Sequence, residues 1–162
     1  MTEKNAESMA LKRVPNICFP VAIDIVSRRD VPEHLYDLWG RLSAAQAQGE
    51  ELSESFVIGM YVKVMQSVGI SYNKAQWIHV KTLEEFQDYL IKAKKCGRGI
   101  VSIGNKAHDM AIQHLGEDVW DLAGISFQKE IIHLTLGEDQ LFKKLQQDNP
   151  DEFNCILLPE EK

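Results

Sequence analysis

A chain of 162 residues, 44% hydrophobic and 26% charged, has the size and composition of one soluble globular domain with a hydrophobic core. Its net charge of -6, with no block of Lys or Arg, argues against nucleic acid or an anionic membrane as the main partner. No apolar run approaches the roughly 18 residues of a membrane span, and the opening MTEKNAESMALKR lacks the apolar segment of a secretory signal. The expected place of synthesis is therefore the cytoplasm.

The three cysteines, Cys18, Cys96 and Cys155, are an odd number at wide spacing. They suggest neither a disulfide framework nor, with five scattered histidines, a zinc site. No metal and no cofactor is expected.

Residues 1–13 read as a flexible N-terminal tail, and 14–162 as a single domain. Val14-Pro15-Asn16-Ile17-Cys18 is an extended approach to a helix over 19–27, because Pro15 biases Val14 away from helical angles and Pro20 suits a first helical turn. Val21, Ala22, Ile25 and Val26 supply its apolar side. Cys18 then sits at a helix N-terminus, where unpaired N–H groups and the helix dipole favour a thiolate. A second helix starts near Pro32 with Leu35, Leu38, Trp39, Leu42 and Ala45 at three- and four-residue spacing. A third follows Ser53 with Phe56, Val57, Met60, Val64 and Val68 on one side, and stops at Gly69. Residues 72–74 are a turn and 77–80 a short strand.

Thr82-Leu83-Glu84-Glu85 is a capping box, and the helix behind it turns Phe86, Leu90 and Ala93 inward. Strands are expected over 99–104, 107–115 and 119–123, with Gly116-Glu117-Asp118 as the turn of a hairpin. A strand over 130–136, a helix over 138–147 and a last strand over 153–158 complete an α+β layout, an N-terminal helical part packed on a C-terminal antiparallel sheet.

Chemistry concentrates at three positions. His108 opens the second central strand, and Asp121 lies between Trp120 and Leu122 in the third, where a buried carboxylate needs a partner. An imidazole beside a carboxylate is half of a nucleophilic site, and Cys18 is the candidate nucleophile. A register slip of one residue makes Asp118 the alternative orienter; Asp109 reads as exposed. The backbone N–H of Cys18 and the side-chain amide of Asn16 are the candidate oxyanion donors. The plainer reading makes Cys18 a small core residue and His108 an ordinary strand residue.

In this order, Asn16-Ile17-Cys18-Phe19, His108-Asp109-Met110-Ala111-Ile112 and Val119-Trp120-Asp121 resemble a papain-like cysteine peptidase or amidohydrolase of the compact bacterial effector and toxin type. The resemblance covers residues 15–158. It implies a papain-like fold with Cys18, His108 and Asp121 as catalytic residues. It also implies proteolysis or glutamine deamidation of a protein substrate, and export into a target cell by a specialised route. The competing reading is a non-enzymatic acidic interaction protein: a secretion chaperone, an immunity-type inhibitor or a papain-fold pseudoenzyme. Its support is the acidic charge and the lack of any Gln upstream of Cys18.

Overall fold

The computed structural model describes residues 17–103, 108–125, 130–148 and 152–159. Along the chain run α1 (Cys18–Ser27), α2 (Glu33–Ala47), α3 (Glu54–Ser67), a 3-10 turn (Tyr72–Lys74), β1 (Gln76–Val80), α4 (Leu83–Lys94), β2 (Arg98–Ile103), β3 (His108–Gly116), β4 (Val119–Ile125), β5 (Ile131–Gly137), α5 (Glu138–Asp148) and β6 (Phe153–Leu157). The layout is α+β. The tail expected over 1–13 lies outside the described residues.

The six strands form one antiparallel sheet in the order β1-β6-β2-β3-β4-β5. Helices cover both of its faces, which departs from the expectation of one helical part on one side. Ile100, Ala111, Ala123 and Ile156 turn to one face and pack with α1, α2 and α3. Val101, Met110, Ile112, Trp120, Leu122 and Cys155 turn to the other and pack with α4 and α5. This alternation follows from the two-residue period of a strand, and it decides which polar side chains can meet.

All ten residues of α1 are buried, because the helix lies between the sheet and the α2–α3 pair. A helix enclosed on all sides is apolar all round rather than amphipathic, and FPVAIDIV is close to that. The register partners Ala111 and Ala123 lie on the face that α1 covers; two small side chains let the helix come close. The helix ends at Arg28, which takes a left-handed conformation (φ 55°) while its N–H donates to the Asp24 carbonyl.

The exception inside α1 is Asp24. The Tyr36 hydroxyl of α2 donates to its Oδ2 at 2.6 Å, which offsets part of the burial cost. Burial nonetheless raises the Asp24 carboxyl to about 6. The capping box at the head of α4 is formed in both directions: Glu85 N–H donates to Thr82 Oγ1, and Thr82 N–H to Glu85 Oε1, each at 3.1 Å. Ser53 caps α3 by accepting from the Phe56 N–H at 3.2 Å.

Candidate functional site

Cys18 is the first residue of α1 and meets the start of β3 across a separation of 91 residues. Its Sγ lies 3.8 Å from Asp109 Oδ2 and accepts the Asp109 backbone N–H at 3.3 Å. The side chain at the head of the helix is therefore held by one residue through both its carboxylate and its main chain. Cys18 and Asp109 are each only 3% exposed. Ser102, the register partner of Asp109 on β2, also hydrogen-bonds the carboxylate.

Electrostatics at this point oppose the expected thiolate. Burial pushes the Cys18 thiol well above its ordinary value, and the neighbouring Asp109 charge pushes it in the same direction. The helix N-terminus pulls the other way, but within the first turn that effect is worth about 0.3–1 kcal/mol, less than the cost of burying an anion. Asp109 is itself raised to about 7 by burial, against the stabilising bonds from Ser102 and Cys18. The Tyr61 hydroxyl faces the same cluster; burial and then the charge of Asp109 oppose its ionisation. The cluster is a set of thiol, hydroxyl and carboxyl groups in which burial opposes every ionisation.

His108 does not join it. Asp109 faces α1, so the preceding residue on the strand turns to the opposite face, with Met110 and Ile112. Nor does His108 reach Asp121. In the observed register Asp121 stands opposite Gln113, five residues from His108, which is about 17 Å along the strand at the usual rise. Instead Asp121 Oδ2 accepts from, or pairs with, Nδ1 of His133 on β5 at 2.8 Å. Asp118 lies in the tight turn at the far end of the hairpin, where its carbonyl accepts the Glu138 N–H. Asn16 lies outside the described residues. The structure thus brings Cys18 to the strand that His108 opens, but it leaves the three expected catalytic side chains apart.

Two participants were missed from sequence. Asp109, expected on the surface, is buried. It shares strand parity with Ala111 and so faces α1 as Ala111 does, a relation that is readable only once α1 is placed against β3. His133 was missed as the partner of Asp121, and its signal is equally positional: it stands opposite Ala123, diagonal to Asp121 on the same face. Gln113 and Thr135 are the register partners of Asp121 on either side, and Arg28 Nη2 donates to Gln113 at 3.5 Å. These residues make a polar row at the C-terminal end of α1, remote from Cys18 at its start.

The other cysteines have separate surroundings. Cys96 is half-buried, with its thiol donating to the Arg98 carbonyl at 3.1 Å, and Cys155 is buried on the α4–α5 face. Among the described residues no group of three or more His, Cys, Asp or Glu could hold a metal ion, and no helix is long and apolar enough to cross a membrane. An open cleft of about 470 Å³ lies between α2 and α3, lined by His34, Leu38, Lys63 and Gln66 among others; none of the Cys18 cluster lines it.

Comparison with family models, curated proteins and solved structures returned no match for this chain. The fold and the cluster therefore define its class: an antiparallel α+β sandwich built around a buried helix whose leading thiol is held by a carboxyl.

Proposed function

We propose that this chain is a non-catalytic protein-binding domain, of the kind represented by secretion chaperones, immunity-type inhibitors and inactive members of the papain-like fold. One observation carries this reading: the Cys18 thiol is 3% exposed and lies against the Asp109 carboxyl, and burial opposes its ionisation. A nucleophile must meet both its base and its substrate, and the neighbour of this enclosed thiol is a carboxyl. A surface suited to a partner lies at the β1 end of the sheet. Trp77 is 42% exposed there and packs edge-on against Tyr61, with ring centroids 5.4 Å apart; large aromatics of this kind are enriched in binding hot spots.

A second reading keeps the thiol amide hydrolase, cleaving or deamidating a protein. It is favoured by the contact between Cys18 Sγ and the main chain of Asp109, the residue next to His108, since a thiol near the strand that His108 opens is what such a reading needs. Alkylation by iodoacetamide at about pH 6–7 separates the two. The binding-domain reading predicts that Cys18 reacts more slowly than half-buried Cys96. Fast labelling of Cys18, lost on His108→Ala, contradicts it and supports the hydrolase.

A further inference from the structure

We propose that the outer edge of β5 is a homodimer interface, joining two copies about a two-fold axis into one continuous antiparallel sheet. This inference stands independently of the functional reading above, since it uses the opposite edge of the sheet from Trp77. β5 ends the strand order, so among the described residues no strand pairs with its outer side. An unpaired edge presents a row of N–H and C=O groups that template pairing with another chain. Proteins ordinarily blunt such edges with a Lys, a Pro, a bulge or a short strand. The β5 sequence IIHLTLG has no charged residue other than a titratable His and no Pro, and its seven pairs with β4 run without a register shift. By contrast, β1 at the other edge has five residues and is followed by Lys81. α5 leaves β5 directly and packs back against β4, β5 and α4.

The strand is also complementary to itself, and this selects a second copy as the occupant. Antiparallel pairing centred on Leu134 sets Leu134 against Leu134, Ile132 against Leu136 and His133 against Thr135, using all seven residues. Ile132, Leu134 and Leu136 are half-buried against the α4–α5 core, and this register extends that core across the two-fold axis. Centring one residue earlier would shorten the overlap and oppose His133 to His133. At the ends of the favoured register Glu130 meets Glu138 of the second copy, but Glu138 is already turned toward Lys94 Nζ at 2.9 Å. An edge contact of this length lies at the small end of specific interfaces, so a dimer with a dissociation constant on the order of micromolar is expected.

Light scattering of the full chain from about 1 to 200 µM is the first test, with a mass rising from one to two chains as the expected result. Thr135→Lys changes an exposed side chain on β5 and should hold the mass at one chain while leaving the circular dichroism spectrum unaltered. In a Cys96→Ser background, Leu134→Cys should cross-link with diamide as oxidant, because directly opposed Cβ atoms lie about 4.5–5.5 Å apart, close to disulfide geometry. Ile91→Cys, exposed on α4, should not. A chain that stays monomeric throughout the range overturns the proposal, and so does a dimer that Thr135→Lys leaves intact.

Discussion

Cys18 stands where two effects of opposite sign meet, the helix terminus that favours its anion and the enclosure that disfavours it, and enclosure is the larger. The helix-terminal position was legible from Pro20 and the apolar run behind it. The enclosure was not, because β3 is covered on both faces and its sequence HDMAIQ lacks the polar–apolar alternation that would have marked Asp109 as inward. Asp109 has a consequence for stability. Its carboxyl keeps its proton to about 7 in the folded chain and loses it near 3.9 when unfolded. The folded state therefore holds an extra proton between those values. Stability contributed by this group is full below about pH 3.9 and declines as pH rises toward 7. Asp109→Asn keeps an acceptor for Cys18 and Ser102 and abolishes the ionisation. Its stability relative to wild type should increase from pH 4 to pH 8, by up to about 4 kcal/mol, as measured by urea unfolding at the two pH values. A gap that is constant with pH would refute the assignment. Tyr36→Phe removes a donor to buried Asp24 and should cost about 1–3 kcal/mol, read in the same way.

Among the elements, the ends and identities of the helices were written in local signals: the reciprocal cap at Thr82 and Glu85, the serine ahead of α3, and the apolar spacing of α2. Thr82→Ala should lower the thermal midpoint by the equivalent of about 1 kcal/mol. The hairpin was legible too, and its register alone separates the two expected partners. Pairing back from the turn sets Trp120 opposite His114 and Asp121 opposite Gln113, which already keeps Asp121 from His108. His133 could not be paired with Asp121 until β5 was known to lie beside β4, since nothing local says which strands are neighbours. Packing between β2 and α4 is similarly non-local. Tyr89 Oη donates to the Ile156 carbonyl at 2.8 Å in the space that a Cβ on Gly99 would enter. Gly99→Ala should destabilise by about 1–3 kcal/mol through overpacking. In a double-mutant cycle with Tyr89→Phe, the second substitution should recover part of that loss. Strict additivity would show that the hydroxyl is not what Gly99 accommodates.

For the molecule as a whole, the α+β class followed from the succession of helical and strand patterns. The covering of both faces did not, because the strand order is non-local, with β6 returning from the end of the chain to lie between β1 and β2, and because α4 and α5 pack on the face opposite α1. That arrangement encloses α1 between the sheet and the α2–α3 pair, and makes the thiol at its head part of the interior. The most direct measurement is the rate of Cys18 alkylation across a urea series, beside unfolding followed by circular dichroism. If opening of the whole fold is needed to expose the sulfur, the logarithm of the rate should rise with urea along the global unfolding slope. Rapid alkylation that is independent of urea below the transition would mean that the thiol is open to solvent in the native fold, and would contradict the account.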